Sequence, residues 1–99
     1  MIYGKGFFKR AVRKRNWRTL KLVLPAKMRH LTGKYATRTL QGNVLMVKIE
    51  GSGEVKLCSV SKRCYAVVMN LGPHSKFFEE GRAYFKYDER EGVLIVWQG

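Results

Sequence analysis

The residues equipped for covalent or metal chemistry are few and far apart. The histidines are His30 and His74, and the cysteines are Cys58 and Cys64. Zinc sites usually announce themselves as ligand pairs roughly two to four residues apart, twice over. Nothing here has that spacing. Isolated Cys and His residues offer no nucleophile with its base and orienting partner. Asp88 is the sole aspartate, and the remaining acids fall in turn sequences or at Glu79-Glu80, unlike the clustered carboxylates of metal-dependent nucleases. No phosphate-cradling glycine loop is present, since Gly51-Ser52-Gly53 is too short. The sequence therefore predicts a protein that is not an enzyme and has no metal site and no cofactor.

The charge layout points to binding instead. The 99 residues carry 20 Lys+Arg against 7 Asp+Glu, a formal net charge of +13. All of that excess lies before Glu50, the first acid in the chain; from there on basic and acidic residues balance. Like charges without internal partners oppose compaction, and an anionic partner relieves that repulsion. Nucleic acid is the first expectation for that partner. An acidic protein or a second copy of the chain comes next, and an anionic membrane surface after that.

The residues expected to contact phosphates are Lys9, Arg10, Arg13, Lys14, Arg15 and Arg18, followed by Lys21, Lys27 and Arg29. Arginine dominates positions 10–18, and its planar fork suits phosphate better than a solubilising role requires. Phe7, Phe8, Trp17 and Tyr35 are interleaved with these cations and are candidates for stacking on nucleobases. The competing role for the rings is to anchor the N-terminal segment to the rest of the fold. The sequence thus predicts a small nucleic-acid-binding protein. The alternative is an accessory or structural protein of a virus or mobile element that docks on an acidic protein partner.

These residues need elements to position them. About 100 residues make one domain, read here as a basic helix or arm over 1–16 and a β-rich core over 17–99. On a helical wheel Phe7, Phe8, Ala11 and Val12 share one side of the segment, with Lys9, Arg10, Arg13 and Lys14 on the other. Gly4 and Gly6 weaken such a helix at its start. Beyond it, Leu20, Leu22 and Leu24 alternate as a strand does, up to Pro25. Strands are expected over 34–40, 44–50, 54–60, 64–70, 82–87 and 93–97, with a strand or helical turn over 26–33 and one helical turn over 76–81. The three from 44 to 70 read as a meander, with a tight hairpin at Gly51-Ser52-Gly53. Cys58 and Cys64 would then face each other across a turn at Ser61, placed for a disulfide where the compartment is oxidising and otherwise standing as two thiols.

The expected fold class is α+β and β-rich. It is an antiparallel sheet or small partly open barrel of about six strands with a short basic N-terminal helix. No apolar run approaches the ~20 residues of a membrane span, and no apolar core of a signal peptide is present. The expected location is inside the cell, in solution.

Overall fold

Along the first ten residues, Tyr3, Lys5, Phe7 and Lys9 alternate with Gly4, Gly6 and Phe8, and the chain follows this period of two rather than a helical one. The computed structural model describes residues 1–10, 19–59 and 67–98. In it Ile2–Arg10 forms a strand, β1. The expected basic helix is therefore corrected over these residues. The wheel placed Phe7 and Phe8 on one side, whereas neighbours in a strand point to opposite faces. Phe8 is 1 % exposed and Phe7 49 %. The remainder of the expected helix, from Ala11 on, lies outside the described residues.

The glycines explain why a strand wins. A Cβ on Gly4 would stand 2.6 Å from the Phe85 ring, and one on Gly6 would collide with the backbone carbonyl of Val23. Glycine costs a helix about 1 kcal/mol per residue. In β1 the same two residues let the backbone lie against its neighbours at positions with no room for a side chain.

The other strands are β2 (Leu20–Leu24), β3 (Tyr35–Gln41), β4 (Val44–Glu50), β5 (Val55–Lys56), β6 (Cys58–Ser59), β7 (Val67–Asn70), β8 (Gly81–Asp88) and β9 (Val93–Trp97). Short 3-10 helices cover Ala26–Leu31 and Gly72–Phe77. Among the described residues the sheet has nine strands, in the order β5-β3-β4-β9-β8-β1-β2-β7-β6. Every pairing is antiparallel. The β-rich antiparallel class thus holds, with more strands than expected.

The sheet comes close to meeting itself through one short segment. Residues 55–56 pair with β3 at one end of the order, and residues 58–59 pair with β7 at the other. Between them Leu57 is fully buried and exchanges backbone hydrogen bonds with Gly33 and Lys34 at 2.8 and 2.9 Å. One extended stretch thereby serves both edges and all but closes a barrel, pairing Tyr35 and Ala36 on one side and Val67 and Val68 on the other.

Arg38 reinforces the seam. It points inward from β3, and its guanidinium donates to the Asn70 carbonyl on β7 at 2.6 Å and to Glu54 Oε1 at 3.1 Å. Its backbone N–H also donates to Glu54 Oε1, at 2.8 Å. These bonds hold the Glu54 carboxyl below its ordinary range, the backbone bond contributing most.

The seam overturns the first hairpin of the expected meander, while the antiparallel pairing of β6 with β7 keeps the second. β4 pairs with β3 and β9, and β5 lies on the far side of β3. Gly51-Ser52-Gly53 is therefore a crossover rather than a hairpin. Gly53 passes so close to β3 that a Cβ would stand 2.7 Å from the Ala36 backbone. The expected cysteine pairing is corrected too. Register places Cys58 opposite Val68, further along the chain than Cys64. Cys58 is an exposed free thiol, and Cys64 lies outside the described residues.

Inside the barrel, Phe8, Leu22, Leu24, Leu45, Val47, Phe85, Leu94 and Val96 are almost wholly buried. Met28 and Leu31 from the first 3-10 helix and Leu71 beside the second join the same cluster. Ser75 is the buried polar residue among them. Its hydroxyl accepts from the Leu20 N–H at 2.8 Å and donates to the Gly72 carbonyl at 2.7 Å. It thereby ties the start of β2 to the second 3-10 helix and leaves none of these groups unpaired.

Candidate nucleic-acid interface

With Phe8 and the glycines of β1 turned inward, the odd-numbered residues form part of the barrel's outer wall. Their partners on β8 follow from the register. Tyr3 lies opposite Lys86, Lys5 opposite Tyr84, and Phe7 opposite Arg82. Directly opposed residues share a face, with Cβ atoms about 5 Å apart. Each of the three pairs joins an aromatic ring to a cation. Across the two strands the types alternate like a checkerboard: rings on one diagonal path, cations on the other.

The pattern extends to both sides. Trp97 on β9 lies opposite Tyr84, and the two rings stack with centroids 6.3 Å apart at 24°. Ile95 lies opposite Lys86, and beyond it Met46 opposite Ile95; both are half-buried and continue an apolar floor. On the other side Lys9 of β1 lies opposite Lys21 of β2, two cations in direct register. Like charges placed this way are destabilising.

Acids mark the ends of this face. Arg10 is 4.0 Å from Glu80, and the N-terminal ammonium is 3.9 Å from Glu89. Lys86 also lines a depression with Met1, Asp88, Glu91, Val93 and Ile95. From Arg82 to Lys86 the outward positions of β8 carry no acid, nor do the outward positions of β1 from Tyr3 to Lys9. Tyr87, between Lys86 and Asp88, turns inward and is 5 % exposed. Burial pushes its phenol above the ordinary value, with Glu89 and Asp88 adding to the effect.

The structure places the expected site residues in different settings. Lys9, Lys21 and Phe7 lie on the outer wall just described, and Arg10 ends β1 beside Glu80. Lys27 and Arg29 belong to the first 3-10 helix. The Lys27 ammonium donates to the Tyr3 carbonyl and sits 5.8 Å from the Phe85 ring centre. Phe8 is a core residue, its ring 4.8 Å from that of Phe78, so the expectation that it stacks on nucleobases is corrected. Tyr35 is exposed on β3, with Lys56 5.9 Å from its ring, and β4 and β9 separate it from the β1–β8 face. Arg13, Lys14, Arg15, Trp17 and Arg18 lie outside the described residues.

Sequence reading missed Tyr3, Lys5, Arg82, Tyr84, Lys86 and Trp97. Period two in Tyr3-Gly4-Lys5-Gly6-Phe7 was the available signal for β1. Nothing local linked it to residues some 80 positions later.

Among the described residues, no group of three or more His, Cys, Asp or Glu side chains is arranged to hold a metal ion. No helix among them is long and apolar enough to cross a membrane. Compared with family models, with curated proteins and with solved structures, the chain matches none.

Proposed function

We propose that this protein binds nucleic acid without catalysing a reaction on it, through the outer face of β8, β1 and β2. The observation that carries the reading is the register of β1 on β8, which sets Lys5, Lys86 and Arg82 each against an aromatic ring on an exposed surface. Lys9 and Lys21 extend the same strip of charge. Arg13, Lys14, Arg15 and Arg18 follow β1 in sequence and add to the charge of the same half. An anionic backbone relieves the Lys9–Lys21 repulsion and releases its own counterions.

The test is fluorescence anisotropy with labelled oligonucleotides over a salt series. For five neutralised phosphates on a single strand, log K falls with log salt at a slope of about −3.5. That is a loss of about 100-fold between 50 and 200 mM salt. Replacing Lys5, Arg82 and Lys86 by Glu should abolish most of the binding. Unchanged affinity in that triple variant, with its fold verified by circular dichroism, overturns the reading. Polyglutamate competing as effectively as nucleic acid would favour an acidic protein partner instead.

A further inference from the structure

The aromatic half of the checkerboard is not needed for holding phosphates. Tyr3 is 63 % exposed and Phe7 49 %, and both stand among cations on the outer wall. The Tyr84–Trp97 stack lies beside them. Neutralising a phosphate backbone requires only charge. Rings exposed at regular positions among the cations add a second kind of surface, flat and apolar, suited to the faces of nucleobases.

The spacing bears on which nucleic acid fits. Tyr3 and Phe7 are each diagonal to Tyr84 across the β1–β8 ladder. Diagonal positions are about 7–8 Å apart. That is about twice the ~3.4 Å step along one strand of a duplex. Nucleobases seated on successive rings must therefore be pulled out of their own stack. In a duplex the inner base faces are covered by neighbouring pairs, and only edges and phosphates are presented to a protein wall. A single strand offers base faces on one side and phosphates on the other. In the checkerboard each ring has a cation directly across the ladder, so a base seated on Tyr3, Tyr84 or Phe7 leaves its phosphate beside Lys86, Lys5 or Arg82.

We infer that the ligand is single-stranded nucleic acid, with nucleobases stacked on Tyr3, Tyr84–Trp97 and Phe7 while its phosphates run along Lys86, Lys5 and Arg82. This rests on the nucleic-acid reading above and narrows it to one strand form. DNA and RNA share the chemistry invoked, so both are probed.

The experiment compares labelled oligothymidine and oligouridine with the same oligothymidine annealed to oligoadenine, each over a salt series. A Trp17→Phe background leaves Trp97 as the reporting tryptophan. The single strands are expected to bind at least about tenfold more tightly than the duplex and to quench Trp97 emission. Tyr3→Leu with Phe7→Leu is expected to weaken single-strand binding by about tenfold or more, by loss of stacking. The salt slope should stay unchanged, because no cation is removed. Both substitutions are at exposed positions, which keeps the fold intact. Equal affinity for single strand and duplex, or a double variant that binds like the parent, overturns the inference and leaves nucleic-acid binding standing. Failure to bind any of the three probes overturns both.

Discussion

Arg38 on β3 donates a 2.6 Å hydrogen bond to the carbonyl of Asn70 on β7, joining two strands that each lie next to an end of the sheet order. Its side chain is 10 % exposed, so the charge is largely withdrawn from water and relies on its partners. Replacing Arg38 by Met keeps most of the stem and deletes both side-chain bonds. The expected loss is about 2 kcal/mol, the range for charge-assisted hydrogen bonds in a partly buried site. Lys should recover little of it, since one ammonium cannot span Asn70 and Glu54 as the guanidinium fork does. Urea denaturation measures both variants. A change below about 0.5 kcal/mol for Met would show that the seam does not depend on this residue.

The partner carboxylate predicts acid behaviour. Glu54 is held below its ordinary pKa, first by the Arg38 backbone N–H and then by the guanidinium. A depressed pKa in the folded state contributes stability above the unfolded value, and that contribution is lost as pH falls through the folded one. Thermal midpoints should decline on acidification more steeply for the parent than for Glu54→Gln. The difference is modest because the Glu54 side chain is 45 % exposed and screened by solvent. Parallel curves would contradict the linkage.

Tyr87 predicts the opposite limb. Burial, reinforced by Glu89 and Asp88, raises its pKa above 10.0. A raised pKa gives stability that is complete below the unfolded value and disappears as pH rises through the folded one. The parent should lose stability in alkali, and Tyr87→Phe should lose less. Chemical denaturation on either side of about pH 10 distinguishes the two.

Phe7 and Phe8 are adjacent and identical in type, yet their truncations should differ sharply. Phe8→Ala opens a cavity in the core beside Phe78 and is expected to cost about 3–5 kcal/mol. Phe7→Ala removes an outward ring and should stay within about 0.5 kcal/mol. Comparable losses for both would mean that β1 does not present alternate faces.

Gly6→Ala should destabilise by about 1–3 kcal/mol, because the added methyl meets the Val23 backbone carbonyl, which cannot rotate aside. Gly51→Ala is the contrast. Its added Cβ meets nothing within 4 Å and its φ lies outside the left-handed region, so neither packing nor strain opposes it. An equal effect of both on the denaturation midpoint would remove the packing explanation for Gly6.

Much of the core was legible in the sequence. Leu20, Leu22 and Leu24 are buried as their alternation predicts; Leu45, Val47, Ile49, Leu57, Val67, Phe85, Leu94 and Val96 are buried within segments expected to be strands, and Val55 is half-buried. The strands at Val44–Glu50 and Val93–Trp97 have their expected bounds, and β2 ends at Leu24, before Pro25, as expected. β1 was misread because two adjacent phenylalanines beside a run of cations imitate one side of a helix. The glycines that argued against a helix there acquire their meaning from Phe85 and Val23, residues remote in sequence.

The amino-acid order by itself determined where apolar side chains alternate and where the chain turns, because burial in a pleated sheet repeats every second residue. It also determined that the first half is purely cationic. Pairing was decided only in the folded molecule. Local spacing says that Tyr3 and Lys5 share a face, but not that Tyr84, Lys86 and Arg82 stand opposite β1. Nor does it say that residues 55–59 serve both edges of one sheet. Strand partners are chosen by a barrel that must bury Phe8, Phe85 and Leu57 together, and that choice assembled the ring-and-cation face.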